Sequence, residues 1–219
     1  MLMQRYAWIA GLFILLVNKA GFSAPVSVEL FGLVTGVDDR AGVLEGAIGV
    51  NDEIFGIYTY DSQTLDSEPS NSIGSYIYDS GPFGINLEIG GLEFASDSIN
   101  LDFLIEVRND YYQKDGFLLI SSNNRPLSNG TEVSQIMWQL AGDDSSIFAS
   151  DSLIAPVPLS DWESNDFRIM CGRTSIRGII TEAYIVPEPA SVVMILSGSL
   201  LIGLRRERKQ TEKDDRIGV

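Results

Sequence analysis

The stretch Ile54-Phe-Gly-Ile-Tyr-Thr-Tyr60 decides the fold class of this 219-residue chain. It is rich in the β-branched and aromatic residues that strands favour. Outward from it, short apolar runs alternate with clusters of Gly, Asn, Asp, Ser and Pro. No window of ten or more residues between Val26 and Val186 carries a helical period with caps. The region is therefore predicted to be all-β.

The spacing of these runs is typical of a β-sandwich, in which short strands alternate with turns. We predict strands over Ser27–Thr35, Ile54–Tyr60, Ile73–Tyr78, Ile85–Ile89, Phe103–Val107, Phe117–Ser121, Val133–Gln139 and Ile176–Val186. Gly90-Gly91, between Ile89 and Leu92, favours a hairpin turn. The predicted fold is a single antiparallel β-sandwich, jelly-roll-like, over residues 24–186.

Residues 25–186 are strongly acidic, with 25 Asp and Glu against 7 Lys and Arg and hence a net charge of −18. A surface of this charge repels DNA, RNA and anionic lipid headgroups. It suits cations, or a matrix in which solubility matters. We therefore expect no nucleic-acid partner.

The chain has no histidine and a single cysteine, Cys171. Without histidine, His-based acid–base catalysis, Ser-His-Asp triads and His-ligated metal sites are excluded. One cysteine cannot form an internal disulfide. Because Ile169, Met170 and Ile176 lie close to it in the chain, we expect Cys171 to be buried and inert. The alternative is a disulfide to a partner chain.

Residues 1–23 are typical of a secretory signal peptide. Arg5 supplies the positive n-region, and Ala7–Val17 is an apolar h-region too short to span a membrane by itself. Cleavage by signal peptidase after Ser23 places the small residues Gly21 and Ser23 at the two critical positions. An uncleaved N-terminal anchor is the alternative. In either case we expect the Sec machinery to export the rest of the chain.

The C-terminal part combines a backbone breaker, an apolar segment and a basic cluster. Pro187 and Pro189 lack a backbone N–H and fix their own φ, so neither a helix nor a sheet should continue through this point. Ala190–Leu204 carries no charge. As a helix this segment would reach about 22 Å, against a bilayer core of about 30 Å. The basic cluster that follows contains Arg205, Arg206, Arg208 and Lys209. It should hold its end of the segment in the cytoplasm.

The sequence Val186-Pro-Glu-Pro-Ala-Ser191, then the apolar segment, then the basic cluster, resembles the PEP-CTERM sorting signal. Proteins with this signal are substrates of exosortase, a membrane-embedded cysteine peptidase or transpeptidase of Gram-negative bacteria that make extracellular polysaccharide. The resemblance implies that Pro187, Glu188 and Pro189 are the recognition motif. It also implies that the apolar segment is a transmembrane helix and the basic cluster a membrane stop.

The implied sorting signal spans residues 187–209 and leaves 210–219 as a cytoplasmic tail. Family members often end soon after the arginines, so this extension departs from the family pattern. The alternative is a plain C-terminal membrane anchor on a proline-containing stalk.

A second resemblance lies in Phe31-Gly-Leu-Val-Thr-Gly-Val-Asp-Asp39, Gly56-Ile-Tyr-Thr-Tyr-Asp-Ser62 and Gly74-Ser-Tyr-Ile-Tyr78. These segments are similar to the amino-terminal half of a common PEP-CTERM ectodomain. The resemblance implies a β-sandwich, and in such relatives the molecular function is usually unassigned.

Acidic side chains cluster at Asp38, Asp39, Asp52, Glu53, Asp61, Asp66 and Glu68. Hard oxygen ligands in loops suit calcium, but the chain has no Asp-x-Asp-x-Asp-Gly loop. Turn formation is favoured, because Asp side chains hydrogen-bond to nearby backbone in turns. Asn129-Gly130-Thr131 matches a glycosylation sequon and is expected to be only a turn. We expect neither a metal nor a cofactor.

Eight aromatic residues could form a sugar-stacking surface or pack a core. They are Tyr58, Tyr60, Tyr76, Tyr78, Tyr111, Tyr112, Trp138 and Trp162. Aromatic residues at alternate strand positions more often pack a core or a sheet face, so the core is favoured. A glycosidase site built from two carboxylates is conceivable, but the acids are too numerous for one pair to stand out.

Taken with the resemblance, these observations favour an exported, non-enzymatic cell-surface or extracellular-matrix protein. It would be anchored in the inner membrane until exosortase processes it, and would then associate with exopolysaccharide in a biofilm. The alternative is a carbohydrate-binding module or a glycan-active enzyme on the same β-sandwich.

Overall fold

The structure is a computed structural model that describes residues 25–153 and 158–186. Within these ranges the chain is all-β, with ten antiparallel strands in one sheet and one short 3-10 helix at Leu159–Asp161. The strands are β1 (Pro25–Asp38), β2 (Glu53–Asp61), β3 (Ile73–Tyr78), β4 (Gly84–Ile89), β5 (Leu92–Ala95), β6 (Phe103–Tyr111), β7 (Lys114–Ser121), β8 (Gln135–Ala141), β9 (Ser164–Cys171) and β10 (Thr174–Val186). The all-β prediction is confirmed.

Each predicted strand corresponds to an observed one, although several ends are shifted, but β5 and β9 were not predicted. β5 has four residues, too few to establish an alternation. β9 opens with Ser164-Asn-Asp166, which are residue types common in loops. Its buried residues Phe167, Ile169 and Cys171 alternate only in the second half of the strand.

The strands lie in the order β3-β6-β7-β8-β9-β10-β1-β2-β4-β5. From β6 to β10, neighbours in the chain are neighbours in the sheet. Outside this run the connections cross over, since β2 pairs with β4 and β3 with β6. The jelly-roll-like form therefore stays a prediction. The first and last strands pair along their length, from Ser27 opposite Val186 to Asp38 opposite Ser175.

The sheet curls, so that its two halves face each other across the core. Ser96, directly after β5, bridges to Asn124 beyond the end of β7, and its Oγ lies 2.8 Å from Ser121 Oγ. The ring of Tyr58 on β2 lies 6.4 Å from that of Trp138 on β8. The buried apolar side chains form one cluster, and β1 and β10 tie the ends of the domain together. One contiguous core is what an independently folding domain needs.

The alternation of β2 shows how the sequence builds this core. The even-numbered residues from Ile54 to Tyr60 are buried, whereas the odd-numbered ones face outward. Gly56 occupies an inward position where β2 and β4 approach closely. A Cβ atom there would overlap the Leu87 side chain and lie 2.6 Å from the carbonyl oxygen of Asn86. Only glycine therefore fits at this position without a shift of the neighbouring strand.

The Gly90-Gly91 hairpin is confirmed. Ile89 pairs with Leu92, and the two glycines have φ values of 57° and 77°. Positive φ at both central residues is characteristic of the type I′ turn, whose twist matches that of the flanking strands.

Candidate functional site

The predicted sorting residues Pro187, Glu188 and Pro189 lie outside the described residues, as do the predicted signal peptide (1–23) and C-terminal tail. The same holds for the predicted membrane-stop residues Arg205, Arg206, Arg208 and Lys209. The last described strand, β10, ends at Val186, directly before Pro187. Across 25–153 and 158–186, no helix is long and apolar enough to cross a membrane.

Four of the seven clustered acids form turns, as predicted: Asp39, Asp52, Asp61 and Asp66. Asp39 accepts hydrogen bonds from the backbone N–H groups of Val43 (2.9 Å) and Leu44 (3.0 Å), and from the hydroxyl of Thr174 (2.8 Å). Burial pushes the pKa of Asp39 upward, but these hydrogen bonds outweigh it and hold that pKa below its usual value. Three other loop acids, Asp52, Asp61 and Asp66, accept backbone N–H groups within their own turns. Among the residues that the structure describes, no three acidic or cysteine side chains are grouped to hold a metal ion.

Asn129 lies in a turn and Cys171 is buried, as predicted. The Asn129 side chain closes its turn by accepting the Thr131 N–H at 3.0 Å, and it donates to the Val43 carbonyl at 2.9 Å. Cys171 is a buried free thiol. Burial, with a smaller contribution from the Asp39 charge, raises the pKa of Cys171 to about 11. A thiol with so high a pKa is a weak nucleophile at neutral pH, because the thiolate is the reactive form.

Six of the eight candidate aromatic residues pack in the core, as favoured. They are Tyr58, Tyr60, Tyr76, Tyr78, Trp138 and Trp162. Tyr78 donates a hydrogen bond to the Asp61 carbonyl at 3.1 Å, and its burial raises its pKa to about 12. These rings are not available to stack on a sugar.

The two remaining aromatics, Tyr111 and Tyr112, lie at the turn between β6 and β7. The Tyr112 side chain is 83% exposed. The two ring centroids are 4.4 Å apart and the ring planes meet at 63°. The adjacent Tyr112 side chain raises the pKa of Tyr111. The hairpin thus presents two aromatic rings together at the surface.

The backbone of this hairpin is strained. Asp110, Tyr112 and Gln113 have φ values of 53°, 53° and 66°, although none of them is glycine. Left-handed backbone at a non-glycine residue costs about 1–3 kcal/mol and persists only where the surroundings impose it. The strain is therefore maintained by contacts elsewhere.

Asp115 supplies those contacts. Its side chain is 2% exposed. One carboxylate oxygen accepts the Asp110 N–H at 2.8 Å, and the other accepts the N–H groups of Ile147 (2.8 Å) and Phe148 (2.7 Å). Charge-assisted hydrogen bonds of this kind are about twice as strong as neutral ones. One buried carboxylate thus ties the hairpin to the loop that follows β8.

A cleft of about 270 Å³ opens beside the two tyrosines. Its polar lining includes Arg108, Lys114 and Gln139, and its apolar lining includes Leu118. The guanidinium carbon of Arg108 lies 5.8 Å from the centre of the Tyr111 ring. The cleft therefore combines exposed aromatic surface with hydrogen-bond donors, which is how sites for small polar ligands are generally composed.

Sequence reasoning weighed Tyr111 and Tyr112 but missed the groups around them. Arg108 and Asp115 lie beyond the predicted ends of β6 and β7. Gln139 lies on β8 and reaches the cleft because it pairs with Leu118, and this register is not visible in the sequence. The one available signal was a polar turn without glycine between two apolar runs.

A second surface feature lies on the outer face of β10, β1 and β2. This apolar face consists of Phe31, Leu33, Phe55, Ile179 and Tyr184. The Phe31 ring lies 5.2 Å from that of Phe55 and 6.1 Å from that of Tyr184, with ring planes inclined by 55° and 69°. Because the rings are not coplanar, they do not form a flat platform.

No protein-family model, no curated protein and no solved structure matches this chain. The interpretation of its surface therefore depends on its own geometry and on the sequence motifs.

Proposed function

We propose that this chain is an exported, non-enzymatic cell-surface or extracellular-matrix protein that exosortase sorts and processes. The observation that carries the proposal is the order of the C-terminal parts. Pro187-Glu188-Pro189 precedes the apolar segment and the basic cluster, and it follows directly on Val186, where β10 ends. Because Pro187 and Pro189 interrupt regular secondary structure, we expect the motif to be accessible to a peptidase. Prolines hold it extended, so little conformational entropy is lost when it binds in a cleft.

The proposal specifies a route for the protein. The Sec machinery exports the chain, signal peptidase removes residues 1–23, and the C-terminal helix holds the ectodomain in the inner membrane. Exosortase then acts at the motif, and the ectodomain reaches the cell surface or the extracellular matrix. Its charge of −18 over residues 25–186 keeps it soluble there and away from nucleic acid.

We further propose that the curled sheet is a β-sandwich. The contact between Tyr58 on β2 and Trp138 on β8 supports this, because it places side chains from the two halves of the sheet against each other. Two layers that enclose one core define the architecture.

Processing is tested with a tag after Val219 in cells that contain exosortase. The wild type loses the tag from its mature form, whereas Glu188→Ala retains it with export and membrane insertion intact. Glu182→Ala is the matched control, since it removes an exposed carboxylate of the same type from β10. Equal retention of the tag in the wild type and in Glu188→Ala would leave only the plain membrane anchor.

A second candidate function is a carbohydrate-binding module or a glycan-active enzyme. The exposed Tyr111–Tyr112 hairpin and its cleft favour the binding activity. A glycan array, followed by product analysis with the bound glycan, separates the two. Binding without cleavage supports the module, release of shorter saccharides supports the enzyme, and absence of both removes this candidate.

A further inference from the structure

We propose that the Tyr111–Tyr112 hairpin and its cleft form a subsite for one neutral pyranose unit of a polysaccharide. The proposal rests on the matrix role above and assigns it a place on the ectodomain. It is independent of whether exosortase removes the tail.

The aromatic part of the subsite is Tyr112. A side chain that is 83% exposed contributes little to packing. A pyranose ring presents C–H groups on its faces, and stacking an aromatic ring on one face removes apolar surface of both the sugar and the tyrosine from water. Tyrosine suits this role because it offers a large, rigid surface and a polar hydroxyl. Tyr111 buttresses Tyr112 at a ring-centroid distance of 4.4 Å.

The polar part of the subsite is Arg108, Lys114 and Gln139. Sugar hydroxyls both donate and accept hydrogen bonds, and these three side chains supply several donors and one amide oxygen. Within the described part of the chain, Arg108 donates through Nε to Glu106, which leaves its two terminal NH2 groups for a ligand. Leu118 adds apolar surface to the lining of the cleft.

The hairpin is preorganised to present these groups. Its left-handed residues Asp110, Tyr112 and Gln113 are held by the Asp115 carboxylate and by pairing of Tyr111 with Lys114. A loop that is already ordered loses little entropy on binding. Strained backbone that the surroundings maintain is typical of ligand-binding sites. Glycine would adopt the same left-handed conformations without strain, so a turn that only had to connect β6 and β7 would be more stable with glycine at these positions.

The charge around the cleft selects a neutral sugar over an acidic one. Arg108 pairs with Glu106, and Lys114 lies 3.8 Å from Glu163, so the cleft carries no net positive charge. The surrounding domain carries −18. Its field repels uronic acid polymers and nucleic acids. The ligand class is therefore a neutral hexose polymer.

The test is calorimetric titration of the full chain, in a detergent without a sugar headgroup, with neutral hexasaccharides. Glucan, galactan and mannan hexasaccharides are the probes, and an oligoguluronate is the acidic counterpart. At least one neutral probe should bind, and Tyr112→Ala should weaken that binding at least tenfold. Tyr184→Ala is the matched control, because it removes another exposed tyrosine from the opposite half of the sheet; its affinity should stay within twofold of the wild type.

A second variant keeps the test decisive if Tyr112→Ala unfolds. Gln139→Ala should weaken binding at least threefold, while Tyr112→Phe should retain binding because the ring is preserved. Three results would overturn the proposal: no neutral hexasaccharide binds, folded Tyr112→Ala binds as tightly as the wild type, or the oligoguluronate binds more tightly than every neutral probe. None of these results bears on whether the C-terminal tag is lost.

Discussion

Two pairs of tyrosines in this protein have opposite environments. Tyr58 and Tyr60, on β2, are 1% and 2% exposed, with ring centroids 5.9 Å apart. Tyr111 and Tyr112 have centroids 4.4 Å apart, and yet Tyr112 is 83% exposed. Residues two apart in a strand point to the same face, so both rings of the first pair lie in the core. Tyr111 is the last residue of β6 and Tyr112 follows it in the turn, so the alternation of the strand does not bury the second pair.

The comparison also separates stability from recognition. Tyr58 is buried so completely that its hydroxyl has no hydrogen-bond partner among the described residues, and desolvation raises its pKa well above the usual value. Tyr112 instead lies on a hairpin that a buried carboxylate holds in a strained conformation. The first pair should matter for the free energy of unfolding, and the second for binding.

The largest effect is expected from Tyr58→Ala. Removing a buried aromatic ring leaves a cavity against Trp138, and such losses cost about 3–5 kcal/mol. Urea unfolding of the segment 24–186 measures the change. Tyr112→Ala is the control and should change the free energy of unfolding by less than about 0.5 kcal/mol. Similar losses of stability for the two variants would show that the exposed tyrosine matters as much for folding as the buried one, contrary to this account.

Asp115→Asn should come next. The asparagine keeps the shape but cannot accept from Asp110, Ile147 and Phe148 together, so at least one buried N–H loses its partner. We expect a loss of about 3 kcal/mol, since each hydrogen bond to a charged group contributes about 1.5–3 kcal/mol. Urea unfolding measures the loss, and hydrogen exchange should accelerate at Ile147 and Phe148.

The matched control for Asp115→Asn is Asp144→Asn. Asp144 also accepts backbone and side-chain hydrogen bonds, but its partner is the exposed Ser146. Its loss should be below about 1 kcal/mol. If the two asparagine variants are equally stable, Asp115 does not hold the hairpin.

Alkaline pH should destabilise the core through its buried titratable groups. Burial raises the pKa of Cys171 from 9.0 to about 11 and that of Tyr78 from 10.0 to about 12. Between pH 9 and 12 the unfolded chain therefore binds fewer protons than the folded one, so the free energy of unfolding falls as pH rises. Melting temperatures from pH 8 to 12 should decline, and Tyr78→Phe should flatten the upper part of the curve. A melting temperature that stays constant to pH 12 contradicts the buried environment of these groups.

The smallest effect is expected from Tyr58→Phe. It removes a hydroxyl that has no partner among the described residues, so stability should stay unchanged or rise by up to about 1 kcal/mol. A loss above 1 kcal/mol, measured by urea unfolding, would mean that the hydroxyl has a bound partner such as water.

Local patterns predicted much of the fold. The Ile54–Tyr60 stretch identified β2, and Gly90-Gly91 identified the hairpin between β4 and β5, because these signals lie within a few residues of each other. β9 was missed since Ser164-Asn-Asp166 are loop-like residue types, and its burial depends on pairing with β8 and β10. Strand order and curl also depend on long-range contacts such as the bridge from Ser96 to Asn124.

The candidate site was less predictable than the fold. The sequence identified Tyr111 and Tyr112 as candidate aromatic residues. Whether they lie in the core or at the surface depends on where β6 ends, which the sequence did not predict. The role of Asp115 depends on a contact with residues 147 and 148, which are more than thirty positions away. The burial of Asp115 could not be predicted, because nothing in the sequence distinguishes it from the many other acidic residues.

The measurement that tests the central claim most directly is a map of amide chemical shifts for the segment 24–186, titrated with the hexasaccharide that binds the full chain. The account predicts that the largest shifts lie at residues 108–118 and 139–142, around the Tyr111–Tyr112 hairpin. Largest shifts on the apolar face, at residues 29–33, 53–57 and 179–184, would contradict it.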